Sequence, residues 1–152
     1  MRLLDFLPAE RVQTDLVVRD KASLLERLAA LLAGGDGPLN VVRDALLARE
    51  QLGSTGLGHG VAIPHGRSAA ISEVRAAFVR LAEPIDFGAE DHVAVDLVAA
   101  LIVPAHFTDQ HLKLLAELAE LFSDASFTSA LRAAPDATAM RELLQPYPST
   151  AD

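Results

Sequence analysis

After Asp20 the apolar positions recur every three or four residues. Leu24, Leu25, Leu28, Leu31 and Leu32 share one face, which predicts an amphipathic helix. Asp20 or Ser23 is placed to cap it, and Ser23 with Glu26 has capping-box spacing. The run Gly34-Gly35-Asp36-Gly37-Pro38 stops it. A second helix is predicted from a cap at Asn40, with Val41, Val42, Ala45 and Leu46 inward, towards Arg49 and Glu50. The pattern then changes. Residues 53–60 are glycine-rich, and Val61-Ala62-Ile63 is a short apolar segment ended by Pro64. Residues 74–81 alternate as a strand does, Ala76 and Phe78 facing one way and Ala77 and Val79 the other. Residues 84–88 read as a loop. Residues 93–103 are almost unbroken apolar sequence, the mark of a strand buried on both faces, and Pro104 ends it.

Thr108 is positioned as the N-cap of a helix whose stripe is Leu112, Leu115, Leu118, Leu121 and Phe122. Asp124 or Ser126 opens a short helix through Leu131, and Asp136 caps a last one through Leu144. Pro146 and Pro148 lie next to a polar end, so residues 147–152 are expected to be a flexible tail. Interleaved helices and strands predict an α/β fold: one domain over residues 1–146, with helices on both faces of its sheet. The segment between the strands at 74–81 and 93–103 carries no helical pattern. Those strands are therefore free to pair antiparallel, and a mixed sheet, parallel and antiparallel, is expected.

Length and composition narrow the class. The 152 residues suit a single domain. Thirteen basic residues against 21 acidic ones give a formal net charge of −8, which argues against nonspecific nucleic-acid binding. The absence of cysteine removes disulfides, thiol nucleophiles and Cys-ligated zinc. Asp5 and Pro8 break the N-terminal apolar stretch before a signal-peptide core develops. The longest apolar run, residues 93–105, contains Asp96 and falls short of the ~20 residues a bilayer span needs. A soluble, cytoplasmic protein without membrane insertion is expected.

The most unusual stretch is 49–66, Arg-Glu-Gln-Leu-Gly-Ser-Thr-Gly-Leu-Gly-His-Gly-Val-Ala-Ile-Pro-His-Gly. It has no Walker Gly-Lys-Ser/Thr ending, and its glycines miss the dinucleotide spacing and precede a strand, so nucleotide binding is not indicated. His65 sits between rigid Pro64 and small Gly66, which holds an imidazole out from the end of a short strand. His111 falls in the first turn of its helix, where backbone N–H groups attract anions and disfavour imidazolium. Arg49 ends the second helix with a guanidinium fork suited to phosphate oxygens. Taken singly, each has an ordinary structural role: a turn histidine, a solvated first-turn histidine and a C-terminal-turn cation. His59, His92 and His106 are less constrained, and no metal-ligand spacing is present.

Together these residues resemble a known family. The 49–66 run looks like the active-site signature of the enzyme IIA domains of the bacterial phosphoenolpyruvate phosphotransferase system, fructose–mannitol type, a branch that includes a nitrogen-regulatory protein. Phe78-Val79-Arg80-Leu81-Ala82-Glu83-Pro84-Ile85-Asp86-Phe87 resembles the family's next strand and loop. Leu101-Ile102-Val103-Pro104-Ala105 and His111-Leu112 with Leu115 resemble its buried strand and second-histidine helix. The likeness implies that His65 accepts a phosphoryl group, His111 orients and stabilises it, and Arg49 clamps its oxygens. It also implies that Ser54 and Thr55 line the site, with no role for His59, and no metal or cofactor. The implied donor is a small phosphohistidine carrier protein (HPr-like). The Gly-Ser-Thr-Gly-Leu-Gly-x-Gly form is closest to the nitrogen-regulatory branch, whose output is phosphorylation-dependent binding to regulatory or potassium-transport proteins. A chain that stands alone, without a fused membrane, enzyme IIB or carrier domain, is the expectation that goes with that branch. The alternatives are a sugar-specific enzyme IIA that passes phosphate to an enzyme IIB, and a binding module of the same fold without phosphotransfer.

Overall fold

The structure, a computed structural model, describes residues 3–35, 37–106 and 108–144; the side chains of 3, 4, 108, 110 and 111 are outside the description. The expected tail at 147–152 lies outside the described residues. Two short 3-10 helices, Leu3–Phe6 and Ala9–Arg11, lead into strand β1, Val12–Leu16. Helices α1, Lys21–Ala33, and α2, Leu39–Gln51, follow. Then come β2, Gly56–Gly58; β3, Val61–Ala62; β4, His65–Ser68; β5, Arg75–Ile85; and β6, Val95–Pro104. Helices α3, Thr108–Phe122, α4, Ala125–Ala133, and α5, Ala137–Leu144, close the described chain. Among the described residues, no helix is long and apolar enough to cross a membrane.

The sheet is mixed. Its order is β1-β5-β6-β3-β2, with β4 also paired to β6. β5 and β6 run antiparallel, as do β2 and β3; β1 is parallel to β5, and β3 and β4 are parallel to β6. β3 and β4 share one edge of β6, interrupted at Ile63 and Pro64, so the chain re-enters the ladder at His65, opposite Leu101. The alternation of β5 separates two cores. Ala77, Val79 and Leu81 pack with Leu24, Leu28, Leu32, Val42 and Leu46 of α1 and α2. Ala76 and Phe78 pack with Leu114, Leu118, Phe122 and Leu131 of α3 and α4. Helices therefore cover both faces, and β6 is buried on both, as its composition required. Near Asp96 the alternation slips: the Asp96 and Leu97 N–H groups both donate to the Gly60 carbonyl, as in a β-bulge.

Several local expectations are corrected. Asp20 caps α1 with Ser23, whose hydroxyl accepts from the Asp20 N–H, so the capping box is Asp20–Ser23 rather than Ser23–Glu26. Pro38 stands at the start of α2, Asn40 lies inside it, and Val41 is exposed. β5 continues through Pro84 and Ile85, which had read as loop. Thr108 is the first helical residue of α3 rather than a residue before it. The stripe of α3 is rotated: Leu114 is buried, while Leu112 is 66% exposed. β1, β2 and β4 carried no expectation. β1 offers apolar residues only at its ends, and Asp15 breaks its period with a φ of 56°.

Candidate functional site

The site begins with a close approach. A Cβ at Gly66 would lie 2.9 Å from the Ala45 carbonyl carbon and oxygen and 3.0 Å from the Ala45 Cβ. Hydrogen at that position lets α2 lie directly on edge strand β4. Arg49 and Leu52 follow Ala45 at helical spacing, on the same face. That face, with His65, Gly66 and Arg67 as floor and Leu112 and Leu115 of α3 opposite, bounds a cleft of about 630 Å³. His65 and Arg49 are thus brought together. His65 is 8% exposed and borders this cleft.

The Nδ1 atom of His65 lies 2.8 Å from the Ile63 carbonyl oxygen. A carbonyl only accepts, so Nδ1 carries the proton and the ring lone pair is on Nε2. Burial pushes the histidine below its ordinary pKa, the Ile63 carbonyl pulls upward, the Arg49 guanidinium pushes further down and the Glu50 carboxylate pulls up. The net shift is downward, which favours the neutral ring. Arg49 donates from NH1 to the Gly53 carbonyl at 2.9 Å, which ties the guanidinium to the start of the glycine-rich loop.

That loop is braced throughout. His59, at φ 56°, forms the tip of the β2–β3 hairpin. Its N–H donates to Asp91 at 2.8 Å, and its carbonyl accepts from Arg132 at 2.8 Å. Arg132 is in turn bound to Asp96 through Nε and NH2. A Cβ at Gly60 would fall 2.6 Å from the Arg132 NH2. Ser54 Oγ accepts from the Gly56 N–H and donates to the Phe87 carbonyl. Thr55 is buried, and its hydroxyl donates to Glu50. Neither hydroxyl is among the groups bounding the cleft. His111 lies in the first turn of α3, directly before cleft residue Leu112; its side chain is outside the description. Among the described residues, no group of three or more metal-ligating side chains is present.

Comparison with known proteins decides the family. The family model for the phosphoenolpyruvate-dependent sugar phosphotransferase system, EIIA 2, matches residues 5–146. The chain belongs to this family. A nitrogen regulatory protein from Bradyrhizobium diazoefficiens is 40% identical over 152 residues, 99% of each chain. The crystal structure of nitrogen regulatory protein IIA-Ntr from Neisseria meningitidis superimposes with a TM-score of 0.88 at 40% identity, covering 92% of this chain and 97% of that one. A fructose-specific EIIA component from Haloferax volcanii is 36% identical over 113 residues, 73% of each chain.

In this EIIA domain, sequence reasoning assigned no role to Glu50. It is 8% exposed and sits in the last turn of α2, where the helix dipole disfavours a carboxylate. Its partners offset that. The Thr55 N–H donates to both carboxylate oxygens at 3.1 and 3.2 Å, and Lys21 Nζ lies 3.0 Å away. Lys21 Nζ also stands 4.3 Å from the centroid of the Phe87 ring. Glu50 thereby joins α1, α2 and the glycine-rich loop one residue from Arg49. A carboxylate directly after a C-terminal-turn arginine was the only sequence signal. Glu50→Gln keeps the shape but leaves Lys21 without its counter-charge, and the expected loss is about 1–3 kcal/mol because Lys21 is partly solvated. Urea unfolding of the two proteins measures it.

Proposed function

We propose that this EIIA domain is a phosphohistidine relay. His65 accepts a phosphoryl group from a small phosphohistidine carrier protein (HPr-like), and the loaded and unloaded forms bind partners differently. One observation carries this reading: the Nδ1–H to Ile63 carbonyl bond, on the floor of a cleft shared with Arg49. It fixes the tautomer that has its nucleophilic lone pair on Nε2. In the transfer, the Nε2–P bond forms as the donor's N–P bond breaks, and the donor leaves as neutral imidazole. Nδ1 keeps its proton, and the Ile63 carbonyl stabilises the charge that the ring acquires. Arg49 offsets charge on the phosphoryl oxygens. His111, at a helix N-terminus, supplies a second contact to them. Ser54 and Thr55 act through the loop they brace. No cofactor or metal takes part in this chemistry.

Relatives named as nitrogen regulatory proteins match almost the whole chain, which favours a regulatory output on nitrogen-control or potassium-transport proteins in the cytoplasm. The fructose-specific relative supports a second reading, relay to a sugar-transport enzyme IIB. Incubation with enzyme I, the carrier protein and phosphoenolpyruvate tests the shared claim. Acid-labile phosphate on the chain is expected; no incorporation leaves only a non-catalytic binding module. Onward transfer to a fructose- or mannitol-type enzyme IIB favours the second reading over the first.

The lowered pKa of His65 sets a pH dependence. The neutral, nucleophilic ring persists as pH falls through the ordinary histidine value of about 6.5, so the rate of phosphoryl acceptance declines only below it. Stability follows the same group. Below about 6.5 the unfolded chain binds a proton that the folded ring does not, so stability present above that pH falls until the folded pKa is passed. Arg49→Gln removes a downward push, so the acid limb of the rate profile moves to higher pH. The maximal rate also drops by about 10²-fold. Single-turnover transfer across pH reads both effects, and an unmoved acid limb contradicts the proposed pairing.

A further inference from the structure

A second cavity, of about 770 Å³, shares no lining residue with the His65 cleft. Three arginines border it: Arg11 at the end of the second 3-10 helix, Arg75 at the start of β5 and Arg141 on α5. Each is anchored to backbone carbonyls. Arg11 donates from Nε to Ala76 at 2.9 Å and from NH2 to Phe6 at 3.1 Å. Arg75 donates from NH1 to Leu32 and Ala33, at 3.0 and 2.9 Å, and so closes the C-terminus of α1. Arg141 donates from Nε to Leu7 at 3.0 Å. Among the ion pairs of the described residues, none includes any of the three. That is unexpected in a chain with 21 acidic residues against 13 basic ones.

Anchoring by carbonyls has two consequences. It fixes each side chain, so little further rotamer entropy is lost when the remaining N–H groups bind a ligand. A neutral carbonyl also cancels none of the positive charge. Burial, and then the Arg75 charge, push the Arg11 guanidinium below its ordinary pKa, and the Glu10 carboxylate pulls it up by less.

We propose that this cavity is a second anion site, which binds a small metabolite through a phosphate-type dianion. The three arginines come from three separate elements and are held by five different backbone carbonyls. A tetrahedral oxyanion presents oxygens in several directions, whereas a carboxylate satisfies forks in its own plane. Exposed Asp5 and Glu73 also border the cavity, and they repel extended polyanions such as nucleic acid. The sheet connects the two sites: Ala76, whose carbonyl holds Arg11, lies opposite Leu101 of β6, and Leu101 lies opposite His65 of β4.

Pyrophosphate is the probe, titrated into the folded, full-length protein while amide resonances are followed by NMR. Saturable shifts at Arg11, Val74, Arg75 and Arg141 are expected. Arg141→Gln, which disturbs one carbonyl contact only, weakens the apparent Kd by at least about tenfold, and Arg141→Lys restores it partly. Arg49→Gln, in the other cleft, leaves it unchanged. No saturation by about 10 mM, shifts centred on His65, or equal affinity in Arg141→Gln each overturns the proposal. Tighter binding of succinate than of pyrophosphate overturns the phosphate-type assignment.

Discussion

His65→Ala is expected to take up no acid-labile phosphate from the carrier protein, a loss of at least about 10³-fold in transfer rate. The argument rests on what the cleft supplies and what it lacks. The chain has no cysteine, and the hydroxyls of Ser54 and Thr55 are committed to internal hydrogen bonds. Neither His59 nor His106 borders the cleft. Among the described residues bounding it, His65 is the one neutral nucleophile beside a guanidinium. Under the proposed relay, removing the ring would remove the covalent intermediate, whereas removing Arg49 would only weaken its stabilisation. His65→Gln is the companion variant, since it keeps polar bulk on the cleft floor. Both variants are first compared with the wild type by urea unfolding, so that loss of fold is not mistaken for loss of chemistry. Equal phosphate incorporation by a folded His65→Ala protein rejects the acceptor assignment. For His111, substitution by alanine is expected to slow transfer while the phosphate remains on His65.

The regulatory and transport readings then separate at the next step. In the proposed relay, phosphorylation of His65 would add a doubly charged group to a cleft bordered by exposed Leu52 and Leu112. A partner that covers those leucines must accept or reject that charge. Capture of binding proteins by the phosphorylated and unphosphorylated forms distinguishes a phosphorylation-dependent regulatory target from an enzyme IIB.

Much of this architecture was legible in the sequence, for reasons that can be stated residue by residue. β6 announced itself because burial on both faces requires an apolar run, and β5 because Ala76 and Phe78 alternate with Ala77 and Val79 between two cores. The helices were legible because leucines repeat on one side. What stayed hidden depends on partners distant in sequence. β4 is four residues, His-Gly-Arg-Ser, with no apolar alternation, and is a strand only because β6 offers it a ladder. The glycine-rich stretch has no strand alternation of its own, and Asp91, Asp96 and Arg132, 32 to 73 residues away from His59, hold it as a hairpin. Glu50 was visible as a letter, but its burial depends on Lys21 of another helix. The exposure of Leu112 was hidden for a related reason. Helical spacing identifies a stripe, while the neighbouring elements decide which edge of it is covered.

Gly66→Ala is the second large effect expected. The obstacle is space alone, because Gly66 does not adopt a positive φ. The new methyl carbon would lie 2.9 Å from the carbonyl carbon and oxygen of Ala45, and backbone inside a helix cannot swing aside as a side chain can. α2 must therefore lift from β4, at a cost of about 1–3 kcal/mol. The same shift carries Arg49, one helical turn beyond Ala45, away from His65. A displacement on the order of 1 Å lowers positioned chemistry by about 10²-fold. Stability and transfer should thus fall together, although Gly66 itself supplies no chemical group. Gly35→Ala is the control, since a Cβ there meets nothing within 4 Å. Ala45→Gly in the Gly66→Ala background relieves the contact with the Ala45 Cβ but not those with its carbonyl, so only partial recovery is expected. Urea unfolding and initial transfer rates on the four proteins give the answer. A Gly66→Ala protein with unchanged stability and rate means that α2 does not rest on β4 as described, and the joint placement of Arg49 and His65 fails with it.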